Sequence, residues 1–325
     1  MVKIDPPKLR TIETECLGAE VAVLIPCYNE EASIGIVVRE FRAALPNATV
    51  YVYDNNSSDR TVEIATEAGA VVRREAQQGK GNVMRRMFAD VDAHYYVLVD
   101  GDSTYEAAAA PRLLKTLMQK NLDMVTGCRV TNIEEAYRPG HKFGNWALTG
   151  LVRWVFGNRI RDMLSGYRVF SRRFVKSFPA LSRGFEIETE LTVHALELRM
   201  PIADEETAYV DRPPGSESKL STFRDGFRIF WLILILIKEE RPLPFFAAIT
   251  VGLLILSSIL GYPIIAEFIQ TGLVPRFPTA ILVAAIVVIS VLSFFAGLIL
   301  DSITLGRREM KRLHYLSLPI RNQIE

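Results

Sequence analysis

Hydrophobic positions divide the chain into two parts, one with short apolar runs and one with two long ones. In the first part, the runs Val21–Ile25, Thr49–Tyr53 and Ala70–Val72 are each followed by a polar loop and by apolar residues at helical spacing. Strand, loop and helix repeated three times predict an α/β domain with a doubly wound sheet. The loops of such a sheet gather at one edge.

A fourth apolar run, Tyr95–Val99, ends directly in Asp100-Gly101-Asp102. We expect a buried parallel strand that delivers two carboxylates to its carboxyl end, where open α/β sheets bind ligands. Two such close carboxylates repel each other unless a divalent cation lies between them and a phosphate, and Gly101 permits close approach. The pattern indicates a metal-bridged diphosphate site. The alternative is a solvated turn, because Asp-Gly-Asp also occurs at ordinary strand ends.

Polar residues follow the neighbouring strands at the same predicted edge. Asp54 ends the second run, and the oxygen-rich turn 55–61 that follows is also able to cap the next helix. Lys80 lies between two glycines, which suits a phosphate or a close backbone turn, although the spacing is not that of a Walker A loop. The sequence therefore places four charged residues on one edge: Asp54, Lys80, Asp100 and Asp102.

Charge and cysteine content narrow the function classes. The 38 basic residues nearly balance the 37 acidic ones, which argues against a nucleic-acid partner. Cys16, Cys27 and Cys128 form no CxxC pair, so neither a disulfide framework nor a zinc site is indicated. The first 17 residues carry charges and two prolines, so a signal peptide is not expected.

Two charge-free runs dominate the C-terminal part, Leu243–Ala266 and Phe277–Leu300, each of 24 residues. At about 1.5 Å per residue, each is long enough to cross a hydrocarbon core of about 30 Å. We expect a transmembrane hairpin in a cell membrane, with both ends in the cytoplasm because basic residues flank it: Lys238, Arg241, Arg307, Arg308, Lys311 and Arg312. The interrupted run Phe223–Ile237 predicts an interfacial amphipathic helix or, alternatively, a buried domain helix.

Three segments of the first part together resemble the family 2 glycosyltransferases: Ile25–Glu30, Asp54–Thr61 and the Asp100-Gly101-Asp102 strand end. The resemblance implies a GT-A fold, which is Rossmann-like with a mostly parallel central sheet, and a nucleotide-sugar bound with Mg²⁺ or Mn²⁺. The implied metal ligands are Asp100 and Asp102. The implied nucleotide-sugar-binding residues are Pro26, Tyr28, Asn29, Glu30, Asp54, Asn56, Lys80, Asp100 and Gly101.

Later segments are similar to the dolichyl-phosphate sugar synthases within that family. Arg129 matches the arginine of their Gly-Ser-Arg motif, and Asp162–Arg168 resembles their acceptor-side Asp-x-x-x-Gly-[Phe/Tyr]-Arg segment. Tyr209–Lys219 is similar to their Asp-Arg and Gly-x-Ser-Lys pair, with two prolines after the arginine and a spacing one residue longer. The resemblance implies Asp102, Arg129 and Asp162 as catalytic residues. It implies an acceptor phosphate site formed by Arg168, Arg212, Ser218 and Lys219.

The expected function is sugar transfer, with inversion, from a UDP-linked donor to undecaprenyl or dolichyl phosphate at the bilayer. A phosphate acceptor, with a second pKa near 6, is already ionised at neutral pH and needs no strong base. Asp162 lies where many inverting enzymes carry a base, or it only orients a cation. The expected organisation is a cytosolic GT-A domain (1–220), a juxtamembrane helix (221–240), two transmembrane helices (241–302) and a cytosolic tail (303–325).

Two other interpretations remain open. A polysaccharide synthase would extend a sugar hydroxyl and needs a base, but Gly150–Trp154 has glycine where processive members have glutamine. A membrane-anchored scaffold would bind the nucleotide-sugar without turnover. The segment Phe185–Glu190, acidic at every second position, predicts a solvated face near a helix start rather than a face toward a second metal or an acceptor helix. The sugar, the choice of uridine or guanosine, and the oligomeric state, a homo-oligomer included, stay open.

Overall fold

The computed structural model describes residues 20–130, 161–182, 184, 186–210, 231, 234–235, 238–239 and 241–319. Three predicted site residues, Arg212, Ser218 and Lys219, lie outside the described residues, as does most of the predicted interfacial helix. The chain divides into two compact units. The first consists of Met1–Asp225 with Lys311–Glu325, and the second of Gly226–Met310.

A seven-stranded sheet forms the centre of the first unit, with the strand order β3-β2-β1-β4-β6-β5-β7. Neighbouring strands run parallel except at β6, which is antiparallel to both β4 and β5. This confirms the predicted mostly parallel sheet, and the strand predicted at Tyr95 is parallel to β1 and antiparallel to β6. The strands are β1 Val21–Cys27, β2 Thr49–Asp54, β3 Val71–Arg74, β4 Tyr95–Leu98, β5 Met124–Val130, β6 Arg168–Ser171 and β7 Ile202–Ala208.

Helices cover both faces of this sheet. Phe88 and Leu191 belong to the hydrophobic cluster on one face, and Phe41, Ala65 and Leu113 to the cluster on the other. The sheet is therefore doubly wound, as the alternating pattern predicts. The helices are α1 Ile34–Ala44, α2 Thr61–Glu67, α3 Lys80–Asp90, α4 Ala110–Gln119, α5 Arg172–Ser177 and α6 Ile187–Glu197, with a 3₁₀ turn at Ala107–Ala109.

Strand register brings the ends of the predicted strands to one side. Cys27 at the end of β1 pairs with Asp54 at the end of β2, and Leu98 at the end of β4 pairs with Arg168 at the start of β6. We call this side, at the carboxyl ends of β1, β2, β4 and β5, the carboxyl edge. The opposite side, where Tyr95 of β4 pairs with Ser171 of β6, is the amino edge.

The second unit contains two long apolar helices, α7 Pro242–Thr271 and the start of α8 Phe277–Ser317. Both are long and apolar enough to cross a membrane, by length and composition. They pack through small residues, since a Cβ on Gly297 would lie 2.8 Å from Cβ of Phe246. α8 extends to Ser317, beyond residue 302 where the charge pattern ends the second spanning helix, and its last turns belong to the first unit.

Candidate functional site

Two loops at the carboxyl edge are joined by hydrogen bonds. The backbone N–H of Asn29 donates to Ser57 Oγ at 2.9 Å, and the N–H of Ser58 donates back to Asn29 Oδ1 at 2.8 Å. The N–H of Glu30 donates to Thr61 Oγ1 at 2.8 Å. The oxygen-rich turn after β2 thus holds the loop after β1, which carries much of the predicted donor-binding set. Within that loop, Tyr28 is 40% exposed at the surface.

Asp54 lies at the predicted edge, but its side chain is buried. Its Oδ1 accepts the N–H of Ser57 at 3.0 Å, and Arg74 approaches its Oδ2 at 3.7 Å. The carboxylate therefore shapes the turn after β2. Asn56, also predicted to bind the nucleotide-sugar, adopts a left-handed φ of 64°. Its side-chain N–H donates to Ala76 O at 2.7 Å. The predicted nucleoside contacts of Asp54 and Asn56 remain a prediction.

Asn55 is a positioning residue that sequence reasoning missed. Its side-chain N–H groups donate to the carbonyls of Glu75 and Gln77, at 3.0 and 2.8 Å, and its Oδ1 accepts the N–H of Gly79 at 2.7 Å. These bonds hold the loop before α3 and so position Lys80, the first residue of that helix. An asparagine in a turn gives no sequence signal for this role, because asparagine is common in turns.

Lys80 lies between two carboxylates at the carboxyl edge. Its Nζ is 2.5 Å from Asp100 Oδ1 and 2.5 Å from Glu188 Oε1. The side chains of Lys80 and Glu188 are only 11% and 7% exposed. The interpretation of Phe185–Glu190 as a solvated face is therefore wrong for Glu188, which α6 directs inward to a lysine 108 positions earlier in the chain.

The surroundings of Lys80 and of Glu188 shift the pKa of both groups. Burial alone would lower the pKa of the Lys80 ammonium, but the charges of Asp100 and Glu188 outweigh it and raise that pKa. Burial raises the pKa of the Glu188 carboxyl, and the nearby Lys80 charge partly offsets this shift. The lysine consequently stays charged at neutral pH and binds its partners through charge-assisted hydrogen bonds.

The turn after β4 is fitted closely to its neighbours. A Cβ on Gly101 would lie 2.7 Å from Cys27 Sγ, and the Gly101 carbonyl accepts the hydroxyl of Ser33 at 2.7 Å. Asp102 is 6% exposed, and its Oδ1 accepts the Thr104 hydroxyl at 2.6 Å. The turn is therefore closely packed and not a loosely solvated one, and the hydrogen bond from Thr104 orients Asp102.

Asp162 and Arg129 form a bidentate ion pair at the carboxyl edge. Arg129 donates from Nε and Nη2 to the two carboxylate oxygens at 2.7 and 2.8 Å, and its guanidinium lies 5.6 Å from the ring centroid of Tyr209. Burial would raise the pKa of Asp162, but the hydrogen bonds and charge of Arg129 lower it overall. Asp162 is therefore ionised at neutral pH and already bound to a cation.

The segment from Asp162 to Arg168 connects this ion pair to the turn after β4. A Cβ on Gly166 would overlap the Asp100 carboxylate, and the Gly166 N–H donates to the Tyr105 hydroxyl at 2.9 Å. One short segment thus contacts Arg129 at one end and Asp100 at the other. The structure brings the predicted metal-binding turn and two predicted catalytic residues together.

Arg168, predicted to bind the acceptor phosphate, lies in the interior of the first unit. Its side chain is fully buried, and the guanidinium donates to the carbonyls of Met163 and Ser165 and to the Thr192 hydroxyl, at 2.6, 3.0 and 2.9 Å. Burial lowers its pKa. The contact of Arg168 with the acceptor phosphate stays a prediction, and the described bonds of its guanidinium are all to neighbouring protein groups. Arg168 holds the loop that carries Asp162 and Gly166.

Comparison with known proteins identifies the family. The model of glycosyl transferase family 2 matches residues 22–177. Glycosyltransferase AglJ of Haloferax volcanii is 35% identical over 235 residues, which are 70% of this chain and 76% of that protein. The chain belongs to glycosyltransferase family 2. The resemblance found in the sequence motifs is thereby confirmed.

Further comparisons place this glycosyltransferase among relatives with named activities. A dolichyl-phosphate hexose transferase of Haloferax volcanii is 28% identical over 228 residues, 70% of this chain and 98% of the relative. Among solved structures, glucosyl-3-phosphoglycerate synthase of Mycobacterium tuberculosis, in complex with Mn²⁺, UDP-glucose and phosphoglyceric acid, superposes with a TM-score of 0.57. It is 21% identical and covers 73% of this chain and 85% of its own, so it confirms the GT-A fold.

The donor atoms of the glycosyltransferase fit a divalent cation that is shared with a ligand. In the described ranges, no group of three His, Cys, Asp or Glu side chains is arranged as a complete metal site. Asp100 and Asp102 supply two carboxylates on a closely packed turn, and Mg²⁺ commonly takes one or two carboxylates together with the phosphates of a substrate. The residues present therefore fit a cation that binds with a diphosphate.

Proposed function

We propose that this glycosyltransferase moves a sugar from a UDP-linked donor to a polyprenyl phosphate, with inversion at the anomeric carbon. The observation that carries the proposal is one short segment with a contact at each end. Its Asp162 pairs with Arg129, and its Gly166 lies against the carboxylate of Asp100. Cationic and anionic groups thereby face one another at the edge where open α/β sheets bind ligands. The similarity to a dolichyl-phosphate hexose transferase supports the acceptor class.

On the donor side, Asp100 and Asp102 are the residues that would hold Mg²⁺ or Mn²⁺. When bound, such a cation supplies positive charge next to the departing diphosphate. Thr104 keeps Asp102 in one orientation, and Lys80 keeps Asp100 in place through its ammonium. Because these groups are oriented before the ligand arrives, little reorganisation is required during transfer.

On the acceptor side, Arg129 is the described residue best placed to bind a phosphate. Its planar guanidinium suits bidentate binding of a phosphate, and Asp162 and Tyr209 fix its orientation. Asp162 orients Arg129 rather than removing a proton, because its pKa is lowered and both oxygens already accept hydrogen bonds. Arg212, Ser218 and Lys219, outside the described residues, complete the acceptor site in this proposal.

The proposed reaction needs no proton transfer in its first step. An oxygen of the ionised lipid phosphate forms a bond to the anomeric carbon from the face opposite the leaving group. The bond between that carbon and the donor phosphate oxygen breaks, and its electron pair leaves with the nucleoside diphosphate. Catalysis then rests on holding two anionic groups in line and balancing their charge.

A lipid acceptor agrees with the two apolar helices, α7 and α8, which are long enough to span a membrane. We propose that both cross the bilayer and that the first unit lies on the cytoplasmic side, where nucleotide-sugars are made. Basic residues on either side of the apolar runs support this orientation, including Lys238 and Arg308. Attachment of the enzyme to the membrane places it beside its acceptor.

The test is transfer of labelled sugar from a panel of UDP- and GDP-sugars to undecaprenyl phosphate, with and without EDTA. We expect label in a lipid monophosphate product from one UDP-sugar, and loss of that product with EDTA. Asp102→Asn should lower the rate at least about 100-fold, because a metal-binding carboxylate is lost. The matched control is Asp92→Asn, an exposed carboxylate at the amino edge, which should transfer at the wild-type rate.

Three results would contradict the proposal. A GDP-sugar as sole donor would overturn the uridine assignment. Growth of a polymer on a sugar hydroxyl would favour a polysaccharide synthase. Nucleotide-sugar binding without any lipid product, by protein shown to be folded, would favour a binding scaffold.

A further inference from the structure

The last turns of α8 pack against the core of the first unit, which carries the candidate site and is called the catalytic unit below. Tyr315 is 8% exposed and belongs to the hydrophobic cluster that also contains Phe174 and Phe178. Its neighbours Leu313 and Leu316 are 67% and 65% exposed, so one face of the helix is docked. The sequence predicts a cytosolic tail for residues 303–325, and within it Tyr315 is buried.

A buried carboxylate receives the hydroxyl of Tyr315. Asp123 is 2% exposed, and its Oδ2 accepts the Tyr315 hydroxyl at 2.6 Å and Arg173 Nη2 at 3.0 Å. Its Oδ1 accepts the Ser171 hydroxyl at 2.7 Å. The Arg173 guanidinium also lies 4.3 Å from the centroid of the Tyr315 ring. A charged acceptor this well satisfied makes the tyrosine hydroxyl a specific contact rather than general apolar packing.

A second ion pair fastens the preceding turn of the helix. Lys311 Nζ lies 2.8 Å from Glu197 Oε2, and the Glu197 side chain is 1% exposed. One turn later, His314 Nε2 lies 3.2 Å from the carbonyl oxygen of Lys176. We call Lys311, His314 and Tyr315, with the side chains of Asp123, Arg173 and Glu197 that they contact, the helix-end latch.

The helix-end latch lies at the amino edge, away from the candidate site. Asp123 immediately precedes β5, whose other end carries Arg129, and Ser171 is the last residue of β6, whose first residue is Arg168. The latch residues therefore contact neither the carboxylate turn nor the Arg129–Asp162 pair. A change in the latch is expected to leave the chemistry of the site intact.

The chain passes between the two units twice. It leaves the first unit after Asp225 and returns at Lys311, so the apolar helices form an insertion within the catalytic unit. The return passage is helical, because α8 is continuous from Phe277 to Ser317. The latch fixes the end of this helix within the first unit by charge-assisted hydrogen bonds.

We propose that the helix-end latch is a positioning device that presents the catalytic unit to an acceptor anchored in the bilayer. This inference rests on the proposed function. Transfer between an enzyme site and a membrane-held phosphate requires both to meet in one orientation, and restricting the catalytic unit lowers the entropic cost of that encounter. A small acceptor that diffuses freely in water has no such requirement.

The test compares two acceptors with the full-length enzyme in vesicles. One acceptor is undecaprenyl phosphate in the same bilayer, and the other is a short-chain, water-soluble polyprenyl phosphate. The variant combines Tyr315→Phe and Lys311→Met, which removes one hydroxyl and one charge. We expect kcat/KM for the bilayer acceptor to fall roughly tenfold, and kcat/KM for the soluble acceptor to stay within about twofold of wild type.

The matched control combines Tyr262→Phe and Arg312→Met, which change an exposed tyrosine and an exposed arginine. It should keep wild-type values for both acceptors. Equal losses on both acceptors would overturn the inference and assign the latch a structural role alone, and no loss on either would also overturn it. Wild-type enzyme inactive on both acceptors would instead refute the proposed function.

If the wild-type enzyme is inactive on both acceptors, limited proteolysis tests whether the latch holds the end of α8. Trypsin cleavage after Arg312 should be slow in wild type in vesicles and at least about tenfold faster in the double variant, because cleavage of a docked helix requires local opening. Equal cleavage rates would show that the helix end is not held by these contacts, and would overturn the latch itself.

Discussion

At the residue scale, each carboxylate of the candidate site has a different partner, and the partner determines its use. Asp102 accepts the neutral hydroxyl of Thr104, which orients its carboxylate. Asp100 is paired with an ammonium, and Asp162 is paired with a guanidinium through both oxygens. Three similar side chains at one edge therefore have a hydroxyl, an ammonium and a guanidinium as their respective partners.

The depressed pKa of Asp162 predicts a pH dependence of stability. A carboxyl whose pKa is lower in the folded protein stabilises it above the unfolded value of 3.8, and this contribution is lost as pH falls through the folded pKa. Asp162→Asn should therefore lower the unfolding midpoint clearly at pH 7. The difference from wild type should shrink below about pH 4.

Thermal unfolding of the detergent-solubilised protein between pH 3 and pH 7 measures this dependence. Asp92→Asn serves as control, because its ion pair with Arg172 is more exposed and contributes little. A deficit for Asp162→Asn that is the same at every pH would show that the loss comes from packing and not from charge.

The buried ion pair of Lys80 and Glu188 predicts coupling between the two residues. Glu188→Gln removes one buried charge and should destabilise the fold by about 1–3 kcal/mol, because Lys80 loses a partner that water cannot replace. Lys80→Met should also destabilise it. The double variant should lose less than the sum of the two, since each single change leaves an uncompensated charge behind.

Unfolding free energies of the four proteins in this double-mutant cycle check the coupling. Additive losses would mean that the two side chains do not stabilise each other. A matched control replaces Glu190, on the same helix, by Gln: Glu190 accepts the N–H groups of Leu181 and Ser182, so it should show no coupling to Lys80.

At the scale of elements, the loop between Asp162 and Arg168 links the two halves of the site. Its position depends on a buried guanidinium, that of Arg168, and on a glycine that leaves room for Asp100. The loop precedes β6, the one strand that runs against its two neighbours within the described sheet. Because β6 is antiparallel to its neighbours, the loop before β6, and not the loop after it, lies at the carboxyl edge.

Gly166→Ala tests this link. The added methyl group would overlap the Asp100 carboxylate, so we expect the turn to shift and the transfer rate to fall at least about tenfold. Gly252→Ala is the matched control, because a Cβ there meets nothing within 4 Å. Wild-type rates in Gly166→Ala, with the fold intact, would show that the contact between the loop and the turn is dispensable.

Elements with a local pattern could be predicted from the sequence, and long-range pairings could not. The runs that became β1 to β4 alternate with helical spacing, so their order and their common edge follow from the chain itself. Glu188 looks solvated because its own segment alternates charged and apolar residues, and its partner Lys80 is distant in sequence. The motif that contains Arg168 is visible in the sequence, but the burial of Arg168 is not. One of its hydrogen-bond partners, Thr192, belongs to a helix that lies 24 positions later in the chain.

At the scale of the whole molecule, the catalytic unit is not one continuous stretch of sequence. The two apolar helices are inserted within it, and its boundary at the C-terminal side falls at Lys311. Hydropathy places a boundary at residue 302 but does not indicate that the chain re-enters the first unit at Lys311. Charged residues after an apolar run are also typical of a cytosolic tail. The tyrosine that completes the core has no sequence signal beyond its aromatic type.

The contact between Tyr315 and Asp123 also bears on the order of folding. The two residues are 192 positions apart, so the carboxylate at the start of β5 is synthesised long before the hydroxyl that satisfies it. During synthesis the N-terminal strands and helices are able to assemble, yet their core stays open on one side until both apolar helices have been made. Completion of the catalytic fold therefore has to follow synthesis of both apolar helices.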